Sequence, residues 1–348
     1  MFPLEFPLSI LARRAASSDW VLDPFSGRGT TNYAARLLGA PSIGIDSSPV
    51  AVALTEAKLV NATPAAITAC ADNILDQSAP LRDVPRGEFW SRAFDPAVLQ
   101  VICRIRESLL ANCRSAARKA LRAIVMGALH GPRTLSVPSY LSNQCTRTYA
   151  PKPRYAVRFW QARKLVPPRI NVSEVIRLRA ERYYSSQPPG KGIVVCGDSR
   201  ESSTFHLLGN RRARWIVTSP PYYGMRTYIP DQWLRNWFLG GPSEVEYSNN
   251  LQLAHGSPGS FSQQLCSVWA NLATVATPDA WLIVRFGGIT DRKAVPLKIL
   301  RDSFDGSPWV LTTVKPAGSS DSGKRQAIHF GTTQNPAKTE HDGWARLR

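Results

Sequence analysis

Two short strings hold the side chains best placed to do chemistry. Asp23 to Thr31 reads DPFSGRGTT. A strand that delivers Asp23 and Phe25 to its end, with Pro24 fixing the exit, then turns on Gly27 and Gly29 toward Thr30 in a first helical turn. Such a turn lets a ligand approach the backbone closely and meet the N-terminus of a helix. Asp46 follows about 20 residues on, at the end of a second apolar run, where a carboxylate can accept from ribose hydroxyls. Because Ser47, Ser48 and Pro49 come next, it can also cap the following helix. The second string, Thr218 to Tyr228, reads TSPPYYGMRTY. Two successive prolines donate no backbone hydrogen bonds, so the carbonyls around Ser219 and Pro220 face outward as acceptors, with Pro221 locking the turn and Tyr222 offering a flat ring. Alone, the same string would also serve as a polyproline turn with Tyr222 filling core.

These strings need elements to position them. Apolar runs predict strands over 19–25, 42–45, 193–196, 215–218, 281–286 and 309–314, with helical spacing over 30–38, 49–60, 261–276 and 294–304 between them. Strands alternating with helices imply a mostly parallel α/β sheet. WVLTTVKPAG and KRQAIHFG, separated by the polar turn 319–323, predict a closing antiparallel hairpin, and the chain after about 331 reads as a polar tail with partial disorder. Between the second and third strands lies a long interruption, helical from Asp95 to about Leu129 and then, over 131–170, rich in Pro, Tyr and Arg like extended surface chain. Four stretches result: 1–64, a helical and basic insert over 65–190, 191–331, and the tail 332–348.

Composition narrows the possibilities. With 348 residues, 43% of them hydrophobic, the chain can bury a sizeable core. Its net charge is +18, and residues 101–190 alone carry 17 Lys and Arg against three acids, so one quarter of the chain holds +14. Tyr140, Tyr149, Tyr155, Phe159, Trp160, Tyr183 and Tyr184 interleave with those cations, a combination suited to neutralising a polyanion and stacking on its bases. The longest apolar run, around Ala123 to Leu129, falls far short of the roughly 20 residues of a membrane helix. Glu5 inside the first apolar stretch, with arginines only after it, argues against a secretory signal. The six cysteines (Cys70, Cys103, Cys113, Cys145, Cys196, Cys266) form no CxxC pair. They suit thiols in a reducing cytoplasm better than a metal site or disulfide framework.

DPFSGRGT, GIDSSP and TSPPY, in that order, resemble the S-adenosylmethionine-dependent amino methyltransferases of DNA, which methylate cytosine N4 or adenine N6. The resemblance covers most of the chain outside 65–190. It implies a Rossmann-like methyltransferase fold, an α/β seven-stranded sheet that is mostly parallel and closed by an antiparallel hairpin. S-adenosyl-L-methionine would be the cofactor, held by Asp23, Pro24, Phe25, Gly27, Gly29 and Thr30, with Asp46 on the ribose. The catalytic tetrad would be Ser219, Pro220, Pro221 and Tyr222. The acid receiving the adenine amine maps onto Asp198 in GDSRES, with Asp72 in CADN as a rival; Asp198 is favoured because its strand adjoins the tetrad strand in chain order. Phe6 and Pro7 are similar to an upstream FP segment that covers the methionine end, here with only 18 residues before the first strand.

The resemblance further implies double-stranded DNA as partner, a flipped target base, no metal and a cytoplasmic, nucleoid-associated enzyme, with a restriction–modification role among those open to it. Ser at the first tetrad position leans toward cytosine N4; adenine N6, an RNA base, and a DNA-binding regulator on a degenerate scaffold are the alternatives. Methylation of a ring carbon is set aside, because that reaction uses a Cys after Pro and none of the six cysteines follows a proline. Within the insert, 139–155 is the candidate for meeting DNA. Asn143, Gln144, Arg147 and Arg154 have side chains that read base edges or hold phosphates.

Overall fold

The computed structural model describes residues 2–131, 140–143, 153–224, 229–245, 253, 256–288, 294–319 and 339–348. They form two compact units. The first takes Met1–Thr55, Gly190–Arg226 and Leu251–Arg348; the second takes Glu56–Pro189 and Thr227–Asn250. The inserted unit thus starts earlier than the 65 expected and recruits a second segment, 227–250.

In chain order the elements are α1 (Glu5–Leu11), β1 (Trp20–Asp23), α2 (Thr30–Leu37), β2 (Ser42–Asp46), α3 (Pro49–Leu59), α4 (Pro64–Leu75), α5 (Glu88–Ala93), α6 (Pro96–Ala111) and α7 (Ala116–Ala128). There follow α8 (Pro153–Ala162), α9 (Val172–Tyr184), β3 (Gly192–Cys196), α10 (Ser202–His206), β4 (Ala213–Thr218), α11 (Ile229–Phe238), α12 (Pro258–Ala273), β5 (Ala276–Phe286), α13 (Pro296–Asp302), β6 (Trp309–Ser319) and β7 (Thr339–Leu347).

The first unit is built on one seven-stranded sheet of order β3-β2-β1-β4-β5-β7-β6. β1 to β5 run parallel, and β7 lies antiparallel between β5 and β6. Successive side chains on a strand point to opposite faces, and the sequence fills both. Leu22, Ile43, Ile45, Ile216, Leu282 and Val284 pack with Phe261, Leu265 and Trp269 of α12 on one face. Val21, Trp215, Val217 and Ile283 pack with Phe6 and Ile10 of α1 and Ala34 and Ala35 of α2 on the other. Near-continuous apolar runs such as WIV in β4 follow from this double burial.

Two sequence expectations are corrected here. The strand that returns beside β6 is Thr339–Leu347, within the supposed polar tail; it alternates small and bulky residues and pairs Ala345 with Leu282 and Leu311. KRQAIHFG lies outside the described residues. The stretch 131–170 is also not extended throughout: α8 buries Ala156, Val157 and Trp160, which share one helical face.

The second unit is helical. Asp95 starts α6 by accepting from the backbone N–H groups of Ala97 and Val98, with Pro96 in the first turn; Thr63, Ser115 and Asn171 cap α4, α7 and α9 in the same manner. Its core carries an aromatic cluster in which Trp90 lies 4.5 Å from Trp237 and Phe89 lies 5.6 Å from Trp160, centroid to centroid.

Candidate active site

In a parallel sheet, ligands gather outside the carboxyl ends of the strands. Here three carboxylates stand at such ends on adjacent strands: Asp23 on β1, Asp46 on β2, and Asp198 just past β3. β3 and β4 follow each other in chain order, but in the sheet β3 lies beside β2 and is separated from β4 by two strands. Asp72, the rival, sits on the exposed face of α4 in the other unit.

The loop after β1 is held by its own backbone. Ser26 N–H donates to the Ile45 carbonyl at 2.9 Å, and Gly27 N–H donates to Asp46 Oδ2 at 2.8 Å. Gly27 and Gly29 have φ of +52° and +68°. A Cβ on Gly29 would lie 2.9 to 3.0 Å from Thr55, so glycine is required both for conformation and for space. Thr30 opens α2 directly after Gly29. Phe25 packs partly buried against the sheet core, and the Pro24 carbonyl accepts from Ser199 Oγ at 2.7 Å. Ser199 ties the β3 end to the β1 loop. Sequence reasoning passed over it, although it directly follows Asp198.

Of the two roles open to Asp46, the structure shows the cap-like one, with Oδ1 accepting from Ser48 N–H at 2.9 Å, while Oδ2 anchors Gly27. Burial pushes its carboxyl up, against those two hydrogen bonds. Asp198 is ion-paired with Arg200, whose Nε lies 3.0 Å from each carboxylate oxygen and whose Nη1 donates to Gln264 Oε1 at 2.9 Å. Burial pushes Asp198 up, but the Arg200 contacts outweigh it and hold the carboxyl below the usual range.

Asp23 is 1% exposed. Its Oδ1 accepts from Phe25 N–H at 3.0 Å and Thr218 Oγ1 at 2.6 Å. Among the described residues its Oδ2 is buried without a hydrogen-bond partner. Desolvation raises its pKa from 3.8 to about 6 against the pull of Thr218, Phe25 and Thr31. A buried acceptor with a free oxygen beside a glycine loop suits a ligand that brings its own donor or positive charge, and S-adenosylmethionine, with an ammonium and a sulfonium, fits that demand.

The Thr218 bond joins the β1 loop to the second string. Ser219 follows it half-buried, Pro220 is buried, and Pro221 and Tyr222 are half-buried. Tyr223 bridges to Gly288. The Tyr222 ring meets Phe286 edge-on at 5.6 Å, and its hydroxyl donates to Glu340 Oε1 at 2.9 Å. Burial and then the Glu340 charge push the Tyr222 phenol up, opposed by a hydrogen bond with Ser219 and the charge of Arg285, so it stays neutral. Glu340 is a second residue the sequence did not reveal, lying in a polar stretch with no apolar rhythm. Phe6 and Pro7 are buried in α1, and the Arg285 guanidinium lies over the Phe6 ring at 3.8 Å.

In the helical unit, Asn143 is 1% exposed and its amide donates to the carbonyls of Arg92 and Leu165 at 3.0 and 3.4 Å. Its amide therefore braces the fold internally, which its reading as a base contact did not anticipate. Gln144 and Arg147 lie outside the described residues. Arg154 is exposed on α8, next to Tyr155 at 68% exposure and one turn before Arg158. Among the described residues no three His, Cys, Asp or Glu could jointly hold a metal ion, and no helix is long and apolar enough to cross a membrane.

The sheet order with its antiparallel β7, and the glycine loop between the carboxylates of β1 and β2, define a Rossmann-like α/β fold with a strand–glycine loop–helix turn at the carboxyl ends of its strands. More particularly, residues 1–57 match the family described as DNA methylase, N6_N4_Mtase. Two solved structures of the rRNA methyltransferase AviRa from Streptomyces viridochromogenes are similar at 13% and 12% identity, covering 99% of this chain and 85% of theirs, with TM-scores of 0.36 and 0.35. No curated protein matches the chain.

Proposed function

We propose that the protein transfers a methyl group from S-adenosylmethionine to the exocyclic N4 amine of a cytosine in double-stranded DNA. One observation carries this reading. The TSPPY string follows β4, the sheet neighbour of the strand that ends in DPFSGRGTT, and the 2.6 Å bond between Thr218 and Asp23 ties the two together.

Asp23, Asp46, Asp198, Gly27 and Gly29 would hold the cofactor, with Pro24, Phe25 and Thr30 shaping the loop around it. Bound there, it supplies an electrophilic methyl group. The protein's task is to make a weak nucleophile attack. An exocyclic amine is weak because its lone pair is delocalised into the ring; Ser219 Oγ and the Pro220 carbonyl accept its two hydrogens, favour a pyramidal nitrogen and aim the lone pair. Tyr222 stacks on the base once it leaves the helix. The proton departs afterwards, so no side chain of shifted pKa has to remove it first. Ser219 in place of an acid supports cytosine over adenine.

DNA as substrate is supported by the matched DNA methylase segment and by α8. That helix buries Val157 and Trp160 and turns Arg154, Tyr155 and Arg158 outward, a basic and aromatic surface suited to phosphates and bases. The test is to incubate the protein with labelled S-adenosylmethionine and unmethylated duplex DNA or RNA, then identify methylated nucleosides by mass spectrometry. N4-methylcytosine in DNA is expected. N6-methyladenine would overturn the base assignment, product in RNA alone would overturn the substrate, and absence of cofactor binding would overturn the enzyme reading.

A further inference from the structure

The contact between Tyr222 and Glu340 joins the tetrad to the inserted strand β7, and its surroundings are built for it. Glu340 is 4% exposed, and a buried carboxylate is retained only where it is paired or hydrogen-bonded. β7 pairs Asp342 with Arg285 and His341 with Phe286, so one step further along the antiparallel ladder Glu340 comes opposite Gly287. A Cβ on Gly287 would lie 3.0 Å from Glu340 Cγ and 3.1 Å from Tyr222 Cε2. The missing side chain is what lets carboxylate and ring meet. Two residues along β7, and hence on the same face, Asp342 accepts from Arg285 Nε and Nη2, both at 2.7 Å. This bidentate pair pins the β5–β7 register and so the height at which Glu340 stands.

We propose that Glu340 is a positioning residue for methyl transfer: by accepting the Tyr222 hydroxyl it fixes the plane of the ring on which the target base stacks. The inference rests on the proposed function. A tyrosine ring edge-on to Phe286 has one polar atom with which to define its orientation; that atom donates to Glu340, with Ser219 as its second hydrogen-bond neighbour. Without the acceptor the hydroxyl turns toward Ser219, its other neighbour, and a base stacked on the ring shifts relative to Ser219 and the Pro220 carbonyl. Chemistry then slows while the cofactor loop on β1 and β2 is untouched.

The test is turnover on duplex DNA with the full chain, comparing wild type, E340Q, E340L, Y222F and Y222F/E340L, with S-adenosylmethionine affinity measured by calorimetry for each. E340Q keeps an acceptor oxygen and should stay within about threefold of wild type. E340L and Y222F should each lose about tenfold in kcat, the scale of one charged hydrogen bond, with cofactor Kd unchanged. Since both act on the same bond, Y222F/E340L should also lose about tenfold rather than a hundredfold.

Wild-type turnover in E340L, or losses that multiply in the double variant, would overturn the role of Glu340 alone. Should E340L fail to fold, the double variant decides. It leaves no buried hydroxyl unpaired, and a turnover well below that of Y222F would refute action through the phenol. Wild type that transfers no methyl to DNA would refute the proposed function, and the role of Glu340 with it.

Discussion

Replacing Asp23 by Asn separates the electrostatics of the cofactor loop from its shape. Burial raises the Asp23 pKa from 3.8 to about 6. Between those values the folded protein holds a proton that the unfolded chain has released. The contribution of Asp23 to stability must therefore fall as pH rises through this window, and stay flat below about 4 and above about 6. A shift of about two units amounts to about 3 kcal/mol. In Asp23→Asn, Oδ1 can still accept from Thr218 and Phe25, and an amide replaces the oxygen that lacks a partner. Subtracting roughly 1 kcal/mol for that unpaired amide, the variant should be more stable than wild type by about 2 kcal/mol at pH 7 and slightly less stable near pH 4. Urea unfolding followed by circular dichroism at half-unit intervals from pH 4 to 7.5 measures the difference. A second readout is cofactor affinity, which in wild type should strengthen as pH rises through about 6 and Asp23 ionises, and in the variant should be weaker and flat. A stability difference that does not change with pH would refute the reasoning, because only a burial-raised carboxyl makes it vary.

Gly29→Ala should destabilise the protein by about 1 to 3 kcal/mol, the scale of one forced left-handed residue, and weaken cofactor binding; melting temperature and calorimetric titration check it. Tyr222→Ala should keep cofactor affinity and lower methyl transfer about 10- to 100-fold, the scale of one lost base stack, and unchanged turnover would place the stacking elsewhere. DNA affinity should fall steeply with salt, and R154A/R158A should reduce the log–log slope by about 2 if both guanidiniums hold phosphates. A flat salt response in filter binding would return α8 to an ordinary solvated face.

Much of the sheet was legible because its strands are buried on both faces. WVLD, SIGID and ARWIVT have no polar alternation to confuse them with surface, and the glycines that end β1 have no cheap substitute at φ of +68°. β7 was illegible for the opposite reason. TEHDGWARL carries a buried glutamate and a half-buried aspartate whose partners are Tyr222 and Arg285, and such partners, more than fifty residues away in sequence, leave no local pattern. α8 was hidden by the prolines and arginines around it, although Ala156, Val157 and Trp160 share a face. The basic count misled in part as well. Lys119 and Arg122 pair with Glu56, and Arg177 with Glu174 and Glu181, so the surplus charge is not all offered to a partner.

The position of β7 between β5 and β6 imposes an order of events during synthesis. Among the described residues β6 pairs only with β7, so its native partner is synthesised after it. It meets that partner only when β7 emerges and enters between β5 and β6. The same arrival delivers Glu340 beneath Tyr222, so the tetrad's aromatic ring acquires its anchor only when the sheet closes. A nascent or clipped chain lacking β7 would already carry both glycine loop and TSPPY turn, yet lack this last contact, which ties the maturation of the site to completion of the sheet.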